Sequence, residues 1–266
     1  DILHYKRFVN DAINGILAQS YNNLELIIVV DNKHEPTINY MKKFIKTAND
    51  SRIKLFSAPS RLGPGRISNA AIKYTSGDFL VFHDQDDLSY QNRFQKLIEN
   101  ININGIVASY IHITSNNKIR EKIYSGYCLD RLLTMSKVRT PVHFPSVMIT
   151  KDLFTLMGGF ENYFAGIDAI FIAKLGFLRE ILGLGPIPIV EEFLFAWNRH
   201  SHQITSWHPM SIKLRQCEKK QRRPLVKIFR KKLIDNEIDT NNIHEIMECL
   251  NITNNLQSTV QLKQIC

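Results

Sequence analysis

Three carboxylates fall within four positions at the end of a short apolar run: Phe79–Asp87 reads F-L-V-F-H-D-Q-D-D. The run reads as a buried strand, so Asp84, Asp86 and Asp87 stand at or just past its C-terminal end. In open α/β sheets that end is where ligands bind. Acids gathered so closely repel one another unless a cation or ordered donors offset the charge. A hard divalent cation carrying a phosphorylated ligand suits such a place. The plainer alternative is an acidic strand-to-helix turn, with Asp87 capping a helix that begins near Tyr90. That alternative accounts for one Asp and leaves Asp84 and Asp86 over.

The elements that must position these acids alternate along the chain. Lys6–Gln19 places Phe8, Ala12, Ile13, Ile16 and Leu17 on one helical face. Leu24–Val30 is a nearly continuous apolar strand ending at Asp31. Pro36 suits the first turn of a helix that runs to about Asn49. Ile53–Ser57 is a short strand, Arg61–Gly65 a Gly/Pro loop, and Gly65–Thr75 a helix ending near Gly77. The acid-bearing strand follows, then a helix from Tyr90 to Asn100. Such alternation predicts an α/β fold with a parallel sheet over residues 1–114. Beyond it the order loosens. Ile106–Thr114 and Ser146–Ile149 read as strands, Lys151–Met157 as a short helix closed by Gly158–Gly159, and Asp168–Leu182 as a helix. Ile187–Val190 and Phe193–Trp197 read as two short strands. A basic helical region is expected from Pro209, then one helix near Ile243–Leu250 and a loose end.

The 266 residues allow one large domain or two small ones, with 44% hydrophobic and 22% charged residues, as in soluble globular proteins. No uncharged apolar run reaches the roughly 18 residues of a membrane-spanning helix, and the first residues do not read as a signal peptide. Cys128, Cys217, Cys249 and Cys266 form no C-x-x-C pair and read as reduced thiols of a cytosolic protein. The net charge of +9 is concentrated: Lys213–Lys232 holds ten Lys/Arg against Glu218, and the remainder is balanced.

Five segments, in order, resemble the family 2 glycosyltransferases with the GT-A fold. Q-S-Y-N-N-L-E-L-I-I-V-V-D (19–31) resembles the second strand with its nucleotide-contacting Asp. G-P-G-R-I-S-N-A-A-I-K-Y-T-S-G-D-F (63–79) resembles the donor-side helix. H-D-Q-D-D-L-S-Y-Q-N-R-F (83–94) resembles the D-x-D region in the variant with His before the first Asp. P-S-V-M-I-T-K-D-L-F-T-L-M-G-G-F (145–160) and G-I-D-A-I-F-I-A-K-L-G-F (166–177) resemble the acceptor-side strand and catalytic segment. The likeness covers roughly residues 5–207. It implies a Rossmann-like, mostly parallel central sheet with helices on both faces. Residues 1–114 would be the nucleotide-sugar-binding half, 115–208 the acceptor half, and 209–266 a basic helical extension. The family opens with a central strand ahead of its first helix, and Asp1 stands where the loop after that strand should end; either the sequence is a fragment of a longer polypeptide or the strand is absent, and only its absence would leave an exposed sheet edge. Three further departures are Asn32 after Asp31, Ser68 in place of a Lys or Arg, and Ile167 and Ile170 where a Glu is usual beside Asp168.

The implied activity is inverting transfer of a sugar from a nucleotide-sugar, with UDP as the nucleotide, to a glycan or lipid-linked acceptor in bacterial surface polysaccharide or lipopolysaccharide synthesis. Mn²⁺ or Mg²⁺ would neutralise the leaving diphosphate. The resemblance makes Asp86 the direct metal ligand and places Asp84 on the ribose or a metal-bound water. It puts Asp31 on the base, where the local pattern alone reads an Asp ending a strand and capping the next turn; Arg66 is either a contact to the diphosphate, standing in for the charge missing at Ser68, or a solvated helix-start arginine. Asp168 becomes the general base, where local pattern alone reads a helix cap. His83, and His200 or His202 in the late loop 198–205, are contacts for metal or phosphate, or packed polar residues. Trp197 and Trp207 flank that loop and either stack on a sugar or pack in the core. Lys213–Lys232 suits the anionic inner face of the plasma membrane, or is a solvated basic helix; no nucleic-acid module is present. Two other functions remain open on the residues: a non-catalytic relative that binds nucleotide-sugar or glycan, and a nucleotidyl- or phosphotransferase, which would have no use for the 145–177 motifs.

Overall fold

The computed structural model describes residues 2–101, 103–115, 118–126, 141–162, 167–200, 242–250, 252, 256 and 260–266. His202, Trp207 and the basic segment Lys213–Lys232 lie outside them.

Helix α1 (Ile2–Leu17) turns Val9, Ala12, Ile13 and Ile16 inward, an i, i+3, i+4, i+7 stripe. Strand β1 (Leu26–Val30) pairs in parallel with β2 (Ile53–Ser57), with helix α2 (Glu35–Ala48) as the crossover. Helix α3 (Pro64–Ile72) opens on Gly63 and Pro64, the proline preset for a first turn. The acid-bearing strand is short: β3 is Phe79–Leu80. A second two-residue strand, β4 (Leu88–Ser89), stands between the acids and α4 (Arg93–Asn100), so that helix begins three residues later than its pattern implies. Strands β5 (Ile106–Ser115), β6 (Lys118–Lys122), β7 (Met148–Thr150) and β8 (Ile189–Asn198) follow, with helices α5 (Lys151–Leu156) and α6 (Ile167–Ile181) between the last two. Helix α7 (Ile243–Cys249) and strand β9 (Lys263–Gln264) complete the order.

The strands form two sheets, β1-β2-β9 and β3-β7-β5-β8-β4, with β6 paired to β5. The α/β class holds, but the sheet is less parallel than expected. Only β1–β2 and β5–β8 run parallel among the described residues. The five other pairings are antiparallel, because β6 turns straight back from β5 and β4, β7 and β9 return against their neighbours. Strand β8 is continuous where two short strands were expected. Exposed Glu191 and Glu192 interrupt its apolar run, and a bulge against Ser109–Ile111 absorbs them.

Central strand β5 buries Ile106, Val107, Ala108, Ser109 and Ile111. Beneath the acids lies an aromatic cluster. Phe82 packs 5.0–5.4 Å from Phe144, Phe154 and Phe160, and Phe171 closes the far side. Each such ring contributes about 1.5–3 kcal/mol of burial, so the residue just ahead of His83 is firmly anchored. Strand β9 was expected to be loose chain; Leu262 buries and Lys263–Gln264 pair with β2.

One polar tie steadies the joint between β1 and the turn into β3. Glu25 accepts from Lys54 Nζ at 2.7 Å, from Gly77 N at 3.1 Å and from Ser76 N. Burial works against its charge, but Lys54 and the two N–H groups outweigh it and hold the carboxyl at about 2. A depressed carboxylate stabilises the fold above its unfolded pKa and loses that contribution as pH falls through its folded one. Glu25→Gln should therefore cost about 1–2 kcal/mol at neutral pH, shrinking towards pH 2; urea midpoints across that range will show it.

Candidate active site

The acid loop is held from both ends. Downstream, Gln19 at the end of α1 is buried, donates from Nε2 to Tyr90 O at 2.8 Å and accepts from Phe94 N at 3.0 Å. It caps α4 from a distance, since Asn92 at the helix start makes no side-chain cap bond. Arg93 is wholly buried. Its guanidinium donates to Ser89 Oγ at 2.8 Å and to Pro145 O, and lies 4.7 Å over the Phe195 ring. Burial lowers its pKa, yet an arginine stays protonated at neutral pH. The sequence presents Arg93 as an ordinary helix-start arginine; the structure makes it a buried cation behind the acids.

Asp87 is 1% exposed and does not cap a helix. Its Oδ1 accepts from Asn198 N at 2.9 Å, fastening the acid loop to the end of β8. Burial and the Asp84 and Asp86 charges push its carboxyl well above the ordinary range, against the Asn198 N–H and Arg93. Asp87 is thus a structural member of the cluster. His83 donates from Nδ1 to Asp84 O at 2.7 Å, since a carbonyl only accepts. Burial, then Arg93, pull its pKa to about 3, so the ring is neutral and Nε2 presents a buried lone pair with no hydrogen-bond partner.

Asp84 is exposed and Asp86 half-buried, and protein atoms crowd the Asp84 carboxyl despite its exposure. Burial raises its pKa to about 7, with the Asp86 and Asp168 charges adding to the effect. Asp168, in the first turn of α6, is therefore electrostatically in reach of the acid loop although 84 positions separate it from Asp84. Asp86 Oδ2 lies 2.8 Å from His200 Nε2, and the His200 ring stacks on Phe8 of α1 at 4.9 Å. His200 of the late loop therefore stands at the acids; His202 lies outside the described residues.

Carboxylates concentrated like this fit a divalent cation: the donors are hard oxygens and the raised Asp84 records charge that a cation would relieve. Asp84 and Asp86 would hold it, with His200 orienting Asp86. Among the described residues no three His, Cys, Asp or Glu side chains close into a ready-made metal cage.

The other expected donor residues lie along α3. Asp31, just past β1, accepts from Leu62 N at 2.7 Å and Gly63 N at 3.0 Å, so it fixes the loop that opens α3. Arg66 is exposed in the first turn of that helix. A Cβ on Gly65 would lie 2.7 Å from Glu161 O, so only glycine lets α3 approach the acceptor-side turn this closely. Buried Asn69 clasps that turn, donating to Phe160 O at 2.8 Å and accepting from Phe160 N at 2.9 Å. Asn69→Ala leaves both backbone groups buried and unpaired, so a loss of about 2–4 kcal/mol in urea unfolding is expected.

The α/β architecture and the acids at the end of β3 define a glycosyltransferase domain of the GT-A type. The chain belongs to glycosyl transferase family 2, whose model matches residues 4–154. It is 31% identical over 175 residues to an uncharacterised glycosyltransferase of Rickettsia bellii, covering 65% of this chain and 25% of that one. It is 33% identical over 113 residues to the Escherichia coli protein WfgD, a UDP-Glc:alpha-D-GlcNAc-diphosphoundecaprenol beta-1,3-glucosyltransferase, covering 42% of this chain and 43% of WfgD. The chain spans only 25–29% of the Rickettsia relatives it matches. The mannosyltransferase PcManGT of Pyrobaculum calidifontis, solved with GDP-Man and Mn²⁺, superposes with a TM-score of 0.55 at 14% identity, over 94% of this chain and 66% of that one. S. aureus TarS 1-349 with UDP gives 0.56 at 15% identity, over 74% and 58%.

Proposed function

We propose that this chain is the catalytic domain of a metal-dependent, inverting glycosyltransferase. It moves a sugar from a UDP-sugar to a hydroxyl of a glycan or lipid-linked acceptor in bacterial surface polysaccharide synthesis. Residues 1–114 serve the donor, 115–208 the acceptor, and 209–266 form a basic extension. The observation that supports this reading is the acid loop itself, where Asp86 meets His200 at 2.8 Å and the charge of Asp168, from the acceptor segment, acts on Asp84.

In this reading Asp86 and Asp84 would hold a divalent ion, which when bound would supply neutralisation of the leaving diphosphate. Asp31 takes the base and orders the Gly63 loop, and Arg66 reaches the diphosphate from the start of α3. Asp168 accepts the proton of the acceptor hydroxyl as its oxygen attacks the anomeric carbon. One C–O bond forms as the bond to the β-phosphate oxygen breaks, so no enzyme nucleophile is required. The name of WfgD supports a diphosphate-linked lipid acceptor, and PcManGT supports Mn²⁺ with a nucleoside diphosphate sugar. No helix among the described residues is long and apolar enough to cross a membrane. We place the enzyme in the cytoplasm with Lys213–Lys232 against the anionic inner leaflet.

The test is release of UDP from a panel of UDP-sugars, with Mn²⁺ and a prenyl-diphosphate-linked sugar as acceptor. Acceptor-dependent release from at least one donor is expected. Nucleotide binding without release from any donor would overturn the transferase reading in favour of a non-catalytic binding domain.

A further inference from the structure

Strand β6 was not expected, and it is fully exposed: Lys118, Ile119, Arg120, Glu121 and Lys122 all face solvent. It pairs with β5 so that Ile111 lies opposite Lys122, Ile113 opposite Arg120, and Ser115 opposite Lys118. Across β5, Ile111 lies beside Phe195 and Ile113 beside Trp197. Side chains alternate between faces of a sheet. The three cations of β6 therefore share one face with Phe195 and Trp197, while Ile119 and Glu121 share the other face with His112.

The cationic face is the site face. His83, from the acid loop, sets its ring edge-on to Phe195 at 5.7 Å, and His143 lies against Trp197 at 5.2 Å. Lys122 contributes to lowering the His143 pKa, after burial and Arg93, which agrees with that placement. Arg199, next to His200, lies 5.2 Å over the Trp197 ring and joins its N–H to Thr114 O. The face thus runs from His83 and His143 past the Trp197 ring and the isoleucines of β5 to a ladder of three cations. None of the three has a salt-bridge partner among the described residues. Partners two strands apart are about 10 Å apart, and successive cations along β6 about 7 Å.

We infer that Lys118, Arg120 and Lys122 bind the diphosphate of the acceptor. This rests on the donor site proposed above. A sugar lying beside Trp197 and Arg199 with its hydroxyl towards the acids would place a diphosphate on its far side about one sugar length away, over β6. Lys and Arg at this spacing, none in a salt bridge among the described residues and Lys122 resting 5.6 Å over the Tyr124 ring, suit an extended dianionic linker, whereas the neutral sugar calls for the aromatic ring. The inference separates two anionic partners, since a bilayer headgroup would need the same cations but not their alignment with Trp197.

The experiment is calorimetric binding of geranyl diphosphate to the full chain in a chelator, which removes any metal-held diphosphate at the acids. K118A/R120A/K122A is expected to weaken it at least about tenfold, while the opposite-face variant Glu121→Gln leaves it unchanged. Binding to phosphatidylcholine–phosphatidylglycerol vesicles should be the same for all three proteins. Unchanged geranyl diphosphate affinity in the triple variant would overturn the proposal, as would a loss confined to the vesicles. A parallel titration with UDP and Mn²⁺ reports the donor site independently: its failure in the wild type alongside intact geranyl diphosphate binding would sink the donor reading and leave the ladder standing.

Discussion

Asp168→Asn should bind UDP and Mn²⁺ as the wild type does and lose about 10²–10⁴-fold in kcat. The substitution keeps the side chain's size and removes its capacity to take a proton at the acceptor oxygen. It also removes one of the charges that raise the Asp84 pKa, so metal-dependent affinity should be unchanged or slightly tighter. That split distinguishes a base from a helix-start residue, whose replacement would shift the unfolding midpoint and leave turnover intact. Ile167 and Ile170 on either side are buried, so no neighbouring carboxylate within that turn is placed to stand in for it. Stopped-flow measurement of single-turnover sugar transfer, beside nucleotide titration, separates the two effects.

Asp86→Ala should lose turnover by about 10³-fold or more, through failure to neutralise the departing diphosphate. The loss should be larger than for His200→Ala, which removes the hydrogen-bond partner that orients Asp86 and belongs in the range of about 10–100-fold. Asp87→Asn acts differently. It keeps an acceptor for Asn198 N and should reduce activity mainly by loosening the loop against β8. Initial rates across a Mn²⁺ series place the three variants in that order if the acids are divided as argued.

The acid loop was legible because three carboxylates at a strand end have few structural uses. The donor half was legible because α1, β1, α2, β2 and α3 each carry a clean apolar period. What escaped the sequence depended on distant partners. Asp87 finds Asn198 across 111 positions, and Arg93 finds Pro145 across 52, so neither burial nor role shows locally. His200 finds Asp86 across 114 positions, a pairing that spacing alone does not show. Strand β6 reads as a charged loop because its backbone is satisfied by β5 while every side chain stays wet. Strand β9 is two residues long and exists only because β2 has an edge to receive it.

The measurement closest to the central claim is calorimetric titration of UDP into the wild type and Asp86→Ala, each with and without Mn²⁺. Binding that depends on the cation is expected in the wild type and is lost in the variant. Cation-independent binding that survives Asp86→Ala, or no binding by the wild type under either condition, would contradict it.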